Sequence, residues 1–216
     1  GSDEKYLKKK YLHLNHLRWS VIYNYPKFFN IKKNLKKNNA LDKKIKILYQ
    51  GVIQRGRGIQ KLIDLVYSTN EFSAIIIGSG DAKGPFVRQI KQLKITDKII
   101  FIDAVPYLKL HEYTVLGDCG WALIDNSNLS NSHALPNKLF EYALMGLPII
   151  ASNIENIKKI IEKHNLGIVV LDNQMDCLSS SVALLNKNKK DANFYHRIIK
   201  ENFSWDLQHD KFLAII

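Results

Sequence analysis

The stretch from residue 119 to residue 155, CGWALIDNSNLSNSHALPNKLFEYALMGLPIIASNIE, contains the pattern that decides the fold. It begins with an apolar run, Cys119 to Ile124, which is typical of a buried strand. The Asn- and Ser-rich loop that follows favours turns, because these side chains bond to the nearby backbone. Pro136 suits the first turn of a helix, and Gly146 is typical of the residue at which a helix ends. The apolar run 148–151 is then a second strand.

The helix between these two strands carries three polar residues on one face. Glu141 lies four positions after Asn137 and three after Lys138, whereas almost all their neighbours are apolar. A helix of this kind is buried on most sides. Two interpretations remain open at this point. Glu141 and Lys138 either stabilise the helix as a pair, by ~0.3–1 kcal/mol, or they lie at the mouth of a crevice.

The rest of the chain repeats the alternation of strands and helices. This alternation is typical of βαβ units, and it predicts an α/β fold with a Rossmann-like, doubly wound parallel sheet of about six strands. From Asn173 onwards the pattern predicts C-terminal helices. Besides the two strands already named, the predicted strands are 44–50, 73–77, 98–102 and 166–171.

The first forty residues do not fit this alternation. Asp3 to about Leu17 is predicted to form a basic helix and Trp19 to Tyr23 a short strand, but such a helix/strand remnant cannot build a core alone. We therefore expect three parts. Residues 1–2 are a remnant of expression, residues 3–40 are the tail of a preceding domain with its linker, and residues 41–216 are the Rossmann-like domain.

The net charge of +12 is concentrated near the N-terminus. Residues 1–46 hold 13 Lys or Arg and 3 Asp or Glu, including the clusters Lys8–Lys10 and Lys32–Lys37. A solvated leader and a peripheral contact with an anionic membrane both explain this charge. Nucleic acid is not an expected partner, because no nucleic-acid-binding motif accompanies the charge.

The location of the protein is predicted from what the sequence lacks. It has no run of 18 apolar residues and no signal peptide, since it starts GSDEKYLKKK. Cys119 and Cys177 lie in apolar patterns and are interpreted as reduced, buried packing residues. We expect a cytoplasmic protein, with the inner face of the membrane as its peripheral location if the basic segment binds there.

Three loops at strand ends are expected to meet in one crevice, because parallel sheets bind ligands at the carboxyl ends of their strands. They are 51–58, 78–80 and 126–138. In the first, Gly51 and Gly58 allow backbone N–H groups to approach an anion, and Arg55 and Arg57 add charge suited to phosphate. The alternative is a glycine-rich turn with two solvated arginines.

Few other motifs in the sequence indicate a catalytic, cofactor or metal site. The GSGDAKG sequence after the second strand has the wrong spacing for a dinucleotide fingerprint, although Gly78 and Gly80 can lie under a nucleotide. No metal site is predicted, because no Cys/His cluster has ligand spacing. His133 differs from the other histidines, since it lies in the crevice loop and is a candidate ligand contact.

The motifs together resemble a known family. The blocks ILYQGVIQRGRGIQKLI, AIIIGSG, KIIFIDAVPYLKLHEY and above all LPNKLFEYALMGLPIIAS are similar to the C-terminal, donor-binding domain of group 1 (retaining) glycosyltransferases, which is one half of a GT-B fold. The resemblance covers roughly residues 15–216. It implies a nucleotide-diphosphate sugar (UDP-, GDP- or ADP-sugar) as donor, no cofactor and no obligatory metal.

The resemblance also implies residue roles. Glu141 matches the second glutamate of the family's Glu-x7-Glu motif, which holds the ribose hydroxyls, and Arg57 matches the basic residue that neutralises the diphosphate. The family's first glutamate falls on His133, and its companion arginine on Val52. Catalytic roles are expected for Arg57, Lys138 and Glu141. Donor binding is expected of these three and of Gly51, Arg55, Gly58, Gly78, Gly80, Val105, His133 and Asn137.

The function implied is transfer of a sugar, with retention, to a glycan or lipid-linked acceptor in the synthesis of cell-surface polysaccharide. The acceptor-binding domain would then be missing from this chain, and the fragment alone inactive. Two alternatives stay open: a sugar-nucleotide epimerase, which shares the GT-B architecture, and a non-catalytic nucleotide-binding domain.

Overall fold

The predicted parallel sheet is present. A computed structural model describes residues 2–14, 20–28, 44–125, 129–171 and 177–215. Its six strands are all parallel and lie in the order β3-β2-β1-β4-β5-β6, which confirms the Rossmann-like, doubly wound fold. The strands are β1 (Ile45–Gln50), β2 (Phe72–Ile77), β3 (Ile99–Ile102), β4 (Cys119–Ala122), β5 (Ile149–Ser152) and β6 (Gly167–Val170).

Helices connect the strands and follow the last one. The four-residue helix α5 lies inside the predicted Asn/Ser-rich loop, which is therefore partly helical. The helices are α1 (Ser2–Lys10), α2 (Ile59–Ser68), α3 (Lys83–Gln92), α4 (Tyr107–Thr114), α5 (Leu129–Ser132), α6 (Lys138–Leu144), α7 (Glu155–His164), α8 (Leu178–Lys187), α9 (Ala192–Asn202) and α10 (Asp206–Leu213).

The sheet separates two hydrophobic layers, because successive residues of a strand point to opposite faces. In β1, Ile47 and Tyr49 belong to the layer that α2, α3 and α8 cover. Leu48 belongs to the opposite layer, which α6, α7 and α9 cover. Covering both faces is what allows the strands to be apolar along their whole length.

The predicted N-terminal helix is present but shorter than expected, since α1 ends at Lys10 and a 3₁₀ turn follows at Leu12–Leu14, and the predicted strand Trp19–Tyr23 is absent from its described residues 20–23. Residues 20–28 form no strand, because they pair with no neighbouring strand. They contact the C-terminal helices instead: the Trp205 N–H donates to the Pro26 carbonyl at 2.9 Å, and the Tyr23 N–H to Gln208 Oε1 at 3.0 Å. The Lys32–Lys37 cluster lies outside the described residues.

The two cysteines differ from each other. Cys119 is buried in β4, as predicted, and burial raises its pKa to about 12. Cys177 is exposed, so its predicted burial is wrong. It lies immediately before α8, whose buried residues are Leu178 and Val182 on a different face. None of the helices in the described ranges is long and apolar enough to cross a membrane.

Candidate functional site

The crevice lies where the strand order reverses, between β1 and β4. These strands pair at only two positions, Ile47 with Cys119 and Leu48 with Gly120, and then separate. In open α/β sheets, ligands bind at the carboxyl ends of the strands at such a switch point.

Tyr142 fixes α6 at this point. Its hydroxyl accepts the N–H of Gln50 at 3.0 Å and donates to the carbonyl of Trp121 at 3.2 Å, so it satisfies backbone groups of both diverging strands. Its ring lies on Gly120, where a Cβ would come within 2.3 Å of the ring atoms. The position of Tyr142 therefore brings Lys138 and Glu141, the residues of the preceding turn, to the mouth of the crevice.

Lys138 is a cation in an unfavourable environment. Its Nζ lies 3.9 Å from the centroid of the Tyr49 ring and close to Gly51. Burial and the charge of Arg57 lower the pKa of Lys138 to about 7, against the opposing effect of Glu141. Within the part of the chain that the structure describes, neither Lys138 nor Arg57 forms an ion pair with a carboxylate. A bound anion would stabilise the charged form of Lys138.

Glu141 is held by two donors. Gln50 Nε2 donates to Glu141 Oε2 at 2.6 Å, and the hydroxyl of Tyr107 donates to the same carboxylate. Burial raises the pKa of Glu141, while these hydrogen bonds and the charge of Lys138 lower it. The pKa of Tyr107 rises to about 12, through burial and then through Glu141. The site thus combines a carboxylate with two cations in a partly dry crevice.

The glycine turns are built for close contact between their own backbones. A Cβ on Gly78 would lie 1.9 Å from the carbonyl oxygen of Gly51, and one on Gly80 would lie 2.1 Å from that of Ile53. The N–H groups of Gly51 and Gly78 already donate to the carbonyls of Ile77 and Ile102. Their predicted contact with a donor stays a prediction.

The remaining residues of the first loop have different surroundings. Gly58 precedes α2 with a φ of 71°, and a Cβ there would lie 2.6 Å from Leu123 Cβ. Arg57 is partly buried and acts on Lys138. Arg55 is exposed and lines a groove of about 560 Å³ together with Lys61 and Asp125. Of the two arginines, Arg57 is the one brought to the Lys138 site.

His133 and Asn137 line a different cavity. This cavity has a volume of about 1160 Å³ and is bounded by α1, the segment 21–25 and α7. The His133 ring lies 6.0 Å from the Tyr6 ring, and its carbonyl accepts Asn156 Nδ2 at 3.0 Å. Glu141 lines a smaller pocket of about 390 Å³ with Tyr107. Val105 is partly buried against the core layer that contains α6.

Three residues of the site were not found by sequence reasoning: Gln50, Thr114 and Tyr107. Gln50 had a visible signal, because it is a polar residue at the end of an otherwise apolar strand. Thr114 and Tyr107 lie on α4 and reach the site only through the packing of α4 near α6. In the described ranges, no group of three His, Cys, Asp or Glu residues is placed to hold a metal ion.

Comparison with known proteins identifies the family. Residues 30–205 match the family of glycosyl transferases group 1, and the chain belongs to this family. The resemblance inferred from its motifs is therefore confirmed. No curated protein sequence matches the chain significantly.

Solved structures share the fold at low sequence identity. Anabaena HepE in complex with UDP-glucose has a TM-score of 0.74 and 14% identity, over 91% of this chain and 56% of its own. A mutant of S. aureus TarM, in complex with Fondaparinux, alpha-GlcNAc-glycerol and UDP, has a TM-score of 0.70 and 14% identity, over 93% and 40%. The pneumococcal O-GlcNAc transferase GtfA, in complex with UDP and GlcNAc, has a TM-score of 0.68 and 14% identity, over 99% and 43%. The chain thus spans roughly half or less of these structures.

Proposed function

We propose that this chain is the donor-binding domain of a retaining glycosyltransferase, which uses a nucleotide-diphosphate sugar. The proposal rests mainly on the surroundings of two cations, Arg57 and Lys138. Both are partly buried at the switch point of the sheet, where Lys138 lies between the influence of Arg57 and that of Glu141, and neither has a carboxylate partner in the described ranges. The UDP and UDP-glucose complexes of relatives with this fold favour a UDP-sugar over GDP- and ADP-sugars.

Glu141 would hold the ribose. A carboxylate that accepts two neighbouring hydroxyl groups makes charge-assisted hydrogen bonds, which are stronger than neutral ones. The partly buried position of Glu141 reduces competition from water. Asn137, His133, Val105 and the glycine turns remain proposed contacts for the rest of the donor.

Arg57 and Lys138 would stabilise the leaving group. When the bond between the anomeric carbon and the diphosphate breaks, negative charge accumulates on the phosphate oxygens. Fixed cations in a site with little water stabilise such charge by several kcal/mol. Lys138 would gain its full charge when the diphosphate binds, because the anion counteracts the burial and the repulsion that lower its pKa.

The acceptor side would belong to a part of the protein that this chain does not contain. Residues 3–40 are proposed as the tail of that preceding domain and the linker from it. A glycan or a lipid-linked sugar in cell-surface polysaccharide synthesis is the proposed acceptor.

The basic residues Lys8–Lys10 next to the exposed Tyr6 and Leu7 in α1 suggest a peripheral membrane contact. Co-sedimentation with anionic vesicles, with and without residues 1–40, tests that contact.

Nucleotide binding tests the proposed donor site. Ligand-observed NMR with UDP, GDP and ADP should show binding of one of them, with UDP expected, and Glu141→Ala should abolish it. Glu155→Ala is the matched control, because Glu155 is an exposed residue at the start of α7. If no nucleotide binds at millimolar concentration, the donor-site proposal loses its main support.

A further inference from the structure

Two buried polar side chains form a series of hydrogen bonds that ends at Glu141. Gln50, the last residue of β1, is 2% exposed, and Thr114, the last residue of α4, is 1% exposed. Gln50 Nε2 donates to Glu141 at 2.6 Å, and Thr114 Oγ1 donates to Gln50 Oε1 at 2.8 Å. Neither residue belongs to the site that the family motifs indicate, yet both are polar groups in a core layer, where unpaired polar groups are costly.

The charge of Glu141 fixes which groups donate and which accept in this series of hydrogen bonds. An ionised Glu141 can only accept, so the side of the Gln50 amide that faces it must be the NH₂ group. The amide oxygen of Gln50 then faces Thr114, whose hydroxyl must donate to it. Thr114 Oγ1 also lies 2.9 Å from the Leu110 carbonyl, so its single proton is shared between two acceptors.

The two donors to Glu141 differ in their freedom. Tyr107 is 60% exposed and can turn towards solvent when a ligand arrives. Gln50 cannot turn, because its side chain is buried and its backbone N–H is bound to Tyr142. A ligand hydroxyl would therefore replace Tyr107 and leave the bond from Gln50 in place.

We propose that Gln50, with its amide oriented by Thr114, is a positioning residue that keeps Glu141 ionised and turned towards the ribose of the donor. This inference rests on the proposed function of Glu141. The groups that face the carboxylate are Gln50 from β1, Tyr107 from α4 and Lys138 from α6, while Arg57 acts on Lys138 and His111 lines the same pocket. Gln50 is the buried neutral donor among them, and it stabilises the ionised carboxylate at every pH.

The test compares UDP binding with the titration of Glu141. Gln50→Met keeps the approximate shape and removes the donor. We expect it to weaken UDP binding roughly tenfold to hundredfold at neutral pH. We also expect a shift of the acid limb of the binding profile to higher pH, with a matching rise of the Glu141 pKa measured by carboxyl ¹³C NMR in the free protein.

Thr114 supplies the matched pair of variants. Thr114→Val removes the hydroxyl at nearly constant volume, so it should shift the profile in the same direction by a smaller amount. Thr114→Ser keeps the hydroxyl and should restore most of the binding. If Gln50→Met does not fold, the two Thr114 variants still test whether Gln50 positions Glu141.

The outcomes separate the two proposals. If the wild-type protein binds UDP, and Gln50→Met or both Thr114 variants bind it equally well, the positioning role is wrong. The proposed function is not affected by that result. Equal losses at every pH without a change in the Glu141 pKa overturn the positioning role as well, because they indicate a structural defect. No binding of any nucleotide by the wild-type protein overturns the proposed function, and the positioning role with it.

Discussion

The glycine turns and helix α6 lie at the same edge of the sheet, but they are built in different ways. In the turns, Gly78 and Gly80 are required because backbone atoms of the neighbouring loop lie within contact distance of any Cβ. In α6, Lys138 and Glu141 are charged groups whose pKa values are shifted unfavourably by burial. The turns therefore stabilise the fold, whereas α6 carries groups that cost stability and that a ligand would compensate.

The largest expected effect is on stability, at Gly78. A Cβ there collides with the Gly51 carbonyl, at a φ of 146°, so Gly78→Ala should lower the free energy of unfolding by roughly 3–5 kcal/mol. Gly84→Ala is the control, because Gly84 lies in α3 and a Cβ there meets only the end of Arg88, at 3.6 Å. Urea denaturation should show no loss for Gly84→Ala. Equal losses in the two variants would contradict this explanation of the turns.

The next effect is on binding, at Glu141. Glu141→Gln keeps the shape but removes the charge, so the Kd for UDP should rise roughly tenfold to hundredfold. The free energy of unfolding should stay constant or increase, because the variant buries an amide in place of a carboxylate. Calorimetric titration and urea denaturation measure the two quantities. A parallel loss of stability and binding would mean that Glu141 is structural.

The third effect is a pH dependence from Lys138. Its pKa is lowered to about 7 in the free protein, so above pH 7 the side chain is increasingly neutral. Because the diphosphate favours the ammonium form, binding takes up a proton, and the Kd for UDP should rise by up to about tenfold per pH unit above pH 7. Lys138→Arg stays charged throughout this range and should flatten the profile. The same slope in wild type and Lys138→Arg would exclude Lys138 as its cause.

The smallest effect is expected at Tyr107. Its hydroxyl donates to Glu141 in the free site, and its exposed position allows it to leave. Tyr107→Phe removes a competitor for the carboxylate, so UDP should bind up to about fivefold more tightly, which corresponds to about 1 kcal/mol. Binding weakened tenfold would instead mean that Tyr107 contacts the donor.

The sequence predicted what depends on local patterns. Alternating apolar strands and helices gave the parallel sheet, and Pro136 and Gly146 placed α6 to within two residues. The resemblance named the family correctly. Both results depend on residues that are close together in the chain.

The errors and omissions concern contacts between distant residues. Thr114 reaches Gln50 across 64 positions, and the reason for Gly78 is a carbonyl at Gly51. The stretch Trp19–Tyr23 looked like a strand because it is apolar, but the Tyr23 N–H bonds to Gln208 of α10 rather than to a sheet. Cys177 looked buried because it was assigned to an apolar helix pattern. Single-sequence patterns contain no information about which surfaces meet.

A structure of the chain bound to UDP would show whether Glu141, Arg57 and Lys138 form the donor site. We expect the ribose hydroxyls to bind Glu141, with Gln50 still donating to the same carboxylate, and the diphosphate to lie between Arg57 and Lys138. The hydroxyl of Tyr107 should have left Glu141. UDP bound elsewhere, such as the large cavity beside His133 and α1, with Lys138 and Glu141 unchanged, would contradict this expectation.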